Sequence, residues 1–234
     1  MRDLRITYAG HSAVFVELGG MHTAIDPWLK GNPLCPHVLQ DPGRLDLIVL
    51  THGHSDHAGD AVRVQKLTGA KLAATYELAM IMIDEGVPAD KVIPMNKGGA
   101  VTLGSLTVRL TDAFHSSSYD GSKGTVYAGE ACGALLSTPD RCVYHAGDTS
   151  LFSDMKLLGE LYAPTVALLP IGDRFTMGPH EAAHAARLIR PQVAIPIHYK
   201  TFDLLTGTYA DFAKECDAHK VKHSELQVGE SVTV

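Results

Sequence analysis

A chain of 234 residues accommodates one large domain or two small ones. Hydrophobic residues make up 45% of it, enough for a substantial core, and nothing is low-complexity. A net charge of −6 counts against a nucleic-acid surface, which normally needs a basic patch, and no apolar run approaches the ~20 residues of a membrane span. Met1-Arg2-Asp3-Leu4-Arg5 leads straight into an expected strand rather than a secretory leader. Cys35, Cys132, Cys142 and Cys216 show no Cys-x-x-Cys spacing, so reduced thiols and a cytoplasmic location are expected.

Residues 4–8 and 13–18 alternate as strands about the turn Ala9-Gly10-His11-Ser12, and 22–25 pair back across Gly19-Gly20. That third strand ends in Asp26-Pro27-Trp28, where Pro27 stops the ladder. Taken alone, Asp26 reads as a turn residue; beside a metal it would hold a ligand histidine. Residues 29–44, with Pro33, Pro36, Pro42 and Gly43, form a loop of the length lids and binding loops have. Residues 45–50 are a continuous apolar run that reads as a buried strand. A helix is expected over 58–67, a strand over 71–74, and a helix capped by Thr75 and ended by Gly86 and Pro88. Residues 101–103 and 106–111 form a hairpin running into Asp112-Ala113-Phe114-His115. Further strands are expected at 125–129, 131–137 and 142–145, the last ending in Ala146-Gly147-Asp148-Thr149. A helix over 151–161 and a strand over 165–171 follow. Pro179 then opens a helix to 189, and a strand over 192–197 ends at His198-Tyr199. A helix over 211–219 and an edge strand or hairpin over 228–234 close the chain. Hairpins followed by strand–helix alternation recur in both halves with no linker between them. The expectation is a mixed α/β (α+β) fold in one domain spanning 1–234.

The buried strand at 45–50 opens into Thr51-His52-Gly53-His54-Ser55-Asp56-His57. Imidazoles packed this closely repel when protonated and add little to a core, whereas imidazole and carboxylate together suit a divalent metal. More ligand types stand at later strand ends: His115, Asp148 and His198. An α/β sheet gathers its carboxyl strand ends at one edge, where ligand crevices form. Five imidazoles and two carboxylates exceed one tetrahedral ion and suit two ions sharing a carboxylate. Two such ions ~3.5–4 Å apart hold a bridging hydroxide and lower the pKa of water to about 7. Zinc and manganese both fit these ligands, and iron is compatible.

A competing motif, His180-Glu181-Ala182-Ala183-His184, fits the His-Glu-x-x-His helix of zinc proteases. Pro179 puts His180 in the first turn, and no further ligands remain once the seven are assigned. We read His180 as lining the pocket mouth and His184 as a polar residue of the helix. His11 and His145 fit either structural hydrogen bonding or support of a ligand.

The ordered set His52-x-His54-x-Asp56-His57, His115, Gly147-Asp148-Thr149 and His198 resembles the metallo-β-lactamase superfamily. Four further stretches look like its bacterial and archaeal metal-dependent hydrolase group, related to ascorbate-6-phosphate lactonases. They are Gly10-His11-Ser12, Tyr144-His145-Ala146-Gly147-Asp148-Thr149, Phe175-Thr176-Met177-Gly178-Pro179 and Pro196-Ile197-His198-Tyr199. The resemblance covers essentially the whole chain and implies a four-layer αββα sandwich. It implies a first metal on His52, His54 and His115, a second on Asp56, His57 and His198, and Asp148 bridging. His11, Asp26, His145, Phe175, His180 and Tyr199 are expected behind the ligands or around the pocket. Asp173 departs from the pattern, which has a second small residue after Gly172.

The expected function is hydrolysis of an ester, lactone or phosphodiester in a small anionic substrate by a metal-bridging hydroxide, with Asp56 orienting that hydroxide. Lys200 and Lys123 would offer the substrate a cation. The subgroup motifs point away from β-lactams. Two other readings are kept: a diiron redox or oxygen-reducing domain, and a non-catalytic metal-binding module. The diiron relatives favour a carboxylate where His54 stands and are usually joined to a flavin domain; the complete ligand set counts against the module. Homo-oligomerisation is compatible with the sequence and not specified by it.

Overall fold

The computed structural model describes residues 4–234, so the expected lead-in Met1–Asp3 lies outside the described residues. β1 (Arg5–Gly10), β2 (Ala13–Leu18) and β3 (Met21–Ile25) form an antiparallel meander. α1 (His37–Gln40) interrupts the long loop that follows. β4 (Leu47–Val49), α2 (Ser55–Ala58), α3 (Ala61–Thr68), β5 (Lys71–Thr75), α4 (Tyr76–Asp84) and β6 (Val92–Met95) continue with parallel strands joined by helical crossovers. The second half repeats this plan. β7 (Ala100–Leu103), β8 (Leu106–Asp112), β9 (Ser118–Gly121), β10 (Gly124–Tyr127), β11 (Cys132–Ser137) and β12 (Cys142–His145) are paired antiparallel. After α5 (Met155–Tyr162), β13 (Val166–Pro170), α6 (Pro179–Ile189) and β14 (Val193–Ile197) extend the sheet in parallel. α7 (Tyr209–Ala218) and β15 (Ser231–Thr233) end the chain, β15 pairing back onto β1.

The strands form a seven-stranded sheet, β15-β1-β2-β3-β4-β5-β6, a six-stranded sheet, β14-β13-β12-β11-β8-β7, and the separate ribbon β10-β9. Strand alternation gives each large sheet two apolar faces. The inner faces meet in one core, where Ile6, Val16, Leu47 and Val49 of the first sheet join Val108, Leu136, Leu168 and Ile197 of the second. The outer face of the first sheet packs Ile48, Leu50 and Leu72 against Val64, Leu78 and Met82 of α3 and α4. The outer face of the second packs Tyr144, Ala167 and Leu169 against Ala182, Ala186 and Phe212 of α6 and α7. Helix, sheet, sheet, helix are the four layers of an αββα sandwich. Among the described residues no helix is long and apolar enough to cross a membrane.

Three local expectations change. The helix expected over 58–67 is two, because Gly59-Asp60 separates α2 from α3, and α2 itself carries Asp56 and His57. β6 was not marked by the sequence: Pro94 breaks the strand pattern, and the structure accepts it because β6 is an edge. No element is expected between His115 and residue 125, yet β9 forms there, and its partner β10 lies in neither large sheet.

Candidate metal centre

The carboxyl ends of β1, β3, β4, β8, β12 and β14 supply the side chains. All six strands run in the same sense within their sheets, so His11, Asp26, His52, His115, Asp148 and His198 emerge at one edge. The two sheets are tied there by backbone: His198 N–H donates to the His11 carbonyl at 2.7 Å, which also accepts the Tyr8 hydroxyl at 2.9 Å. His11 and His198 both adopt positive φ, 56° each, which turns their side chains into the crevice between the sheets.

Among the described residues three groups of potential ligand atoms result, each within 4.8 Å of one another: His52, His54 and His115; His11, Asp56, His57 and His198; and His52, His57 and Asp148. Asp148 lies between the first two. Its Oδ2 is 3.1 Å from His198 Nε2 and 3.7 Å from His115 Nε2, and its Oδ1 is 3.3 Å from His57 Nε2. Gly147 makes this approach feasible: it has φ of +62°, and a Cβ there would stand 2.6 Å from the Cys132 carbonyl oxygen.

Hydrogen bonds behind the cluster fix the rings. Asp26 Oδ1 accepts Thr51 N–H at 2.8 Å, and Oδ2 accepts the Thr51 hydroxyl at 2.6 Å and His57 Nδ1–H at 2.8 Å. Since the Thr51 hydroxyl donates to Asp26, it accepts from His52 Nδ1–H, 3.0 Å away. One buried carboxylate therefore turns the Nε2 atoms of both His57 and His52 toward the cluster. His11 sits between Thr201 Oγ1, 2.8 Å from Nδ1, and Asp56 Oδ2, 3.0 Å from Nε2. Burial, aided by His198, pushes His11 down to about 4, so near neutral pH it carries one proton. The Nε2–H tautomer satisfies both contacts, donating to Asp56 while accepting the Thr201 hydroxyl.

The charge pattern is that of a cation site. Burial works against charge on His57, yet Asp148 and Asp26 on its two sides hold it well above the ordinary imidazole range. Burial works to raise Asp148, but His198 and His57 hold it well below the usual carboxylate range. Burial and His57 keep His52 well below. Among the described residues, four atoms in this crevice are buried without a hydrogen-bond partner: His57 Nε2, Asp148 Oδ1, and both ring nitrogens of His198. Buried polar atoms are normally satisfied. A set of converging imidazole nitrogens and carboxylate oxygens fits divalent metal.

The remaining expected residues separate. His145 Nε2–H donates to the Ser12 carbonyl at 2.9 Å, and its Nδ1 accepts Gly147 N–H at 3.1 Å. It staples the Asp148 turn to the first hairpin with both nitrogens used. Tyr199 points the other way, into the core under α6 and α7, and donates its hydroxyl to Glu225 at 3.1 Å. The expectation that it flanks the pocket is corrected: His198, left-handed just past β14, turns its own ring into the crevice and puts Tyr199 on the other side, among the residues packed under α6 and α7. His180 is exposed and 2.9 Å from Glu215 of α7, so it faces that helix rather than the pocket mouth. His184 is likewise on that surface, beside Arg187 and His219. Among the described residues neither belongs to a metal-ligating group, which removes the zinc-protease reading. Phe175 is half-exposed on the 172–178 loop, with the Arg174 guanidinium over its ring at 5.7 Å. Asp173 and Arg174 there have φ of 64° and 38°, and Met177 N–H joins the loop to the Thr149 carbonyl. Thr51 and Thr201 were missed: their role rests on contacts across the fold, and neighbouring threonines carry no sequence signal of that.

Two sheets joined at one edge by a His/Asp cluster define a metallo-β-lactamase-type fold. Residues 23–199 match the family described as β-lactamase superfamily domain. A UPF0173 metal-dependent hydrolase of Koribacter versatilis is 42% identical over 230 residues, covering 96% of this chain and 98% of that protein. The counterpart in Methanopyrus kandleri is 46% identical over 216 residues, 92% of each chain. The solved structure of Igni18, a metallo hydrolase from the archaeon Ignicoccus hospitalis, superposes with a TM-score of 0.88 at 38% identity, covering 99% of this chain and 98% of that one. The chain belongs to the β-lactamase superfamily and, within it, to the UPF0173 metal-dependent hydrolases.

Proposed function

We propose that residues 1–234 form one hydrolase domain that holds two divalent cations, zinc or manganese, with iron compatible. His52, His54 and His115 would hold one, Asp56, His57 and His198 the other, and Asp148 both. The observation that carries this reading is the buried Asp148 carboxylate between the two groups, facing unpartnered nitrogens of His57 and His198. Cations held there supply Lewis-acid charge to a carbonyl or phosphoryl oxygen and a water acidified to a pKa of about 7. The chain's residues do the rest. Asp26 and Thr51 set the ring orientation of His57 and His52. His11 holds Asp56 Oδ2 and so sets the carboxylate that would orient the water. No serine or cysteine nucleophile is called for, and the four thiols are free and buried, in keeping with the cytoplasmic location of the reading.

The bond class is an ester, lactone or phosphodiester of a small molecule. An anionic substrate rested on two lysines, and both are engaged elsewhere: Lys123 Nζ is 2.8 Å from Asp84, and Lys200 Nζ is 3.7 Å from Glu225. The test combines elemental analysis with a screen over phosphodiesters, lactones, thioesters and β-lactams. Asp148→Ala should lose at least one metal and nearly all turnover; retention of both ions and full turnover overturns the assignment. A visible iron absorption band without hydrolysis would favour the redox domain. Bound metals with a silent screen would favour the binding module.

A further inference from the structure

Two aromatic rings stand partly exposed beside the group formed by His11, Asp56, His57 and His198. Trp28, the one tryptophan of the chain, packs edge-on to His11 with ring centroids 5.3 Å apart. Phe202 packs edge-on to the same ring at 5.6 Å and lies 6.0 Å from Trp28. Because His11 Nε2 is 3.0 Å from Asp56 Oδ2, a molecule at Asp56 borders this wall.

Both rings are held in place. Asp60 Oδ2 accepts the backbone N–H of Leu29, Lys30 and Gly31 at 2.8, 2.6 and 3.2 Å, which fixes the segment after Trp28. Gly31 leaves room for the indole: a Cβ there would stand 2.5 Å from Trp28 Nε1. Next to Phe202, Thr201 is bonded to His11 Nδ1 at 2.8 Å, and Leu205 N–H donates to the Phe202 carbonyl at 2.9 Å. Yet Phe202 remains 41% exposed. Apolar area fixed in position and left facing water beside a polar cluster is the composition of a ligand site. On the first-metal side, Phe114 next to His115 pairs with Phe152 at 5.1 Å and is 61% exposed.

We propose that Trp28 and Phe202 are specificity-determining residues, and that the substrate carries a flat apolar group, an aromatic ring, next to the bond that is cut. The proposal rests on the hydrolase reading above. With an ester, the oxygen of water bonds to the carbonyl carbon, the carbon–oxygen bond to the alcohol breaks, the alcohol leaves with a proton, and a carboxylate and the remaining proton are released.

Two measurements on the metal-loaded chain test it. In the first, Trp28 fluorescence is followed while phenylacetamide, a neutral aromatic, is added, with glycerol phosphate as the anionic comparison. A saturable change with phenylacetamide is expected, at least about tenfold weaker in Phe202→Leu, and none with glycerol phosphate in the same range. In the second, methyl phenylacetate is expected to exceed methyl acetate about tenfold in kcat/KM, with the ratio collapsing toward one in Trp28→Leu and Phe202→Leu. No saturation by phenylacetamide, or equal rates on the two esters, overturns the wall. Saturation by phenylacetamide with no turnover of either ester, nor of any phosphodiester, lactone or thioester in the screen above, leaves the wall standing and overturns the hydrolase reading. Equal turnover of both esters does the reverse.

Discussion

Asp26 is buried at the end of β3, yet it determines how His57 and His52, two candidate ligands, face. Second partners of this kind set tautomer and ring orientation, and their loss weakens metal affinity about 10–100-fold. Asp26→Asn keeps the volume but offers one carbonyl oxygen for three donors. Its metal affinity, read by chelator competition, should fall within that range while far-ultraviolet dichroism stays native; unchanged affinity would sink the relay. His145 has the opposite character. Both its nitrogens are spent on backbone, so His145→Ala strands the buried Ser12 carbonyl and Gly147 N–H. A loss of about 1–3 kcal/mol is expected in urea unfolding of the metal-free protein. A stability unchanged within error would show that the staple contributes nothing.

At the scale of elements, the break between α2 and α3 does two things. It lets α2 present Asp56 and His57, and it frees Asp60 to reach back to the loop after β3. That carboxylate also accepts Arg63 Nε–H at 3.1 Å, and Arg63 reaches Asp41 at 2.6 Å, so one residue organises both ends of the long loop. In Asp60→Ala three backbone N–H groups lose their acceptor. Hydrogen exchange at Leu29, Lys30 and Gly31 should speed at least about tenfold, with unfolding free energy down by about 1–3 kcal/mol. Unchanged exchange at these amides would mean the loop is held by its packing alone.

At the scale of the whole molecule, the candidate centre sits where the two sheets meet, and its candidate ligand atoms come from both. Binding that favours the folded chain stabilises it by mass action, about 2.7 kcal/mol at a hundredfold excess over Kd. For a chain of this size that corresponds to about 5–10 °C in Tm. Chelation should lower the melting temperature by that order, and added zinc or manganese should restore it. A Tm indifferent to chelator in a protein shown to have lost its metal would argue against ligands drawn from both sheets.

The sequence by itself determined what is local. Apolar runs ending in polar turns marked nearly all the strands. The spacing from His52 to His57 pointed to a loop able to bind metal, since those side chains are close whatever the rest of the chain does. Strand ends at His115, Asp148 and His198 followed from the rule that α/β sheets collect such ends at one edge. Side-chain direction and long-range partners were decided only by the tertiary structure. His198 and Tyr199 are neighbours in sequence and face opposite sides of the sheet; His180 turned to Glu215 across α7, and Pro94 became acceptable once β6 was an edge. The contact of His11 with Thr201 spans 190 positions and that of His145 with Ser12 spans 133, and no periodicity encodes either. The residue types and spacing gave the chemistry of the metal loop, while its second-row partners and aromatic wall required the closing of one sheet on the other, because packing alone brings such distant positions within hydrogen-bonding reach.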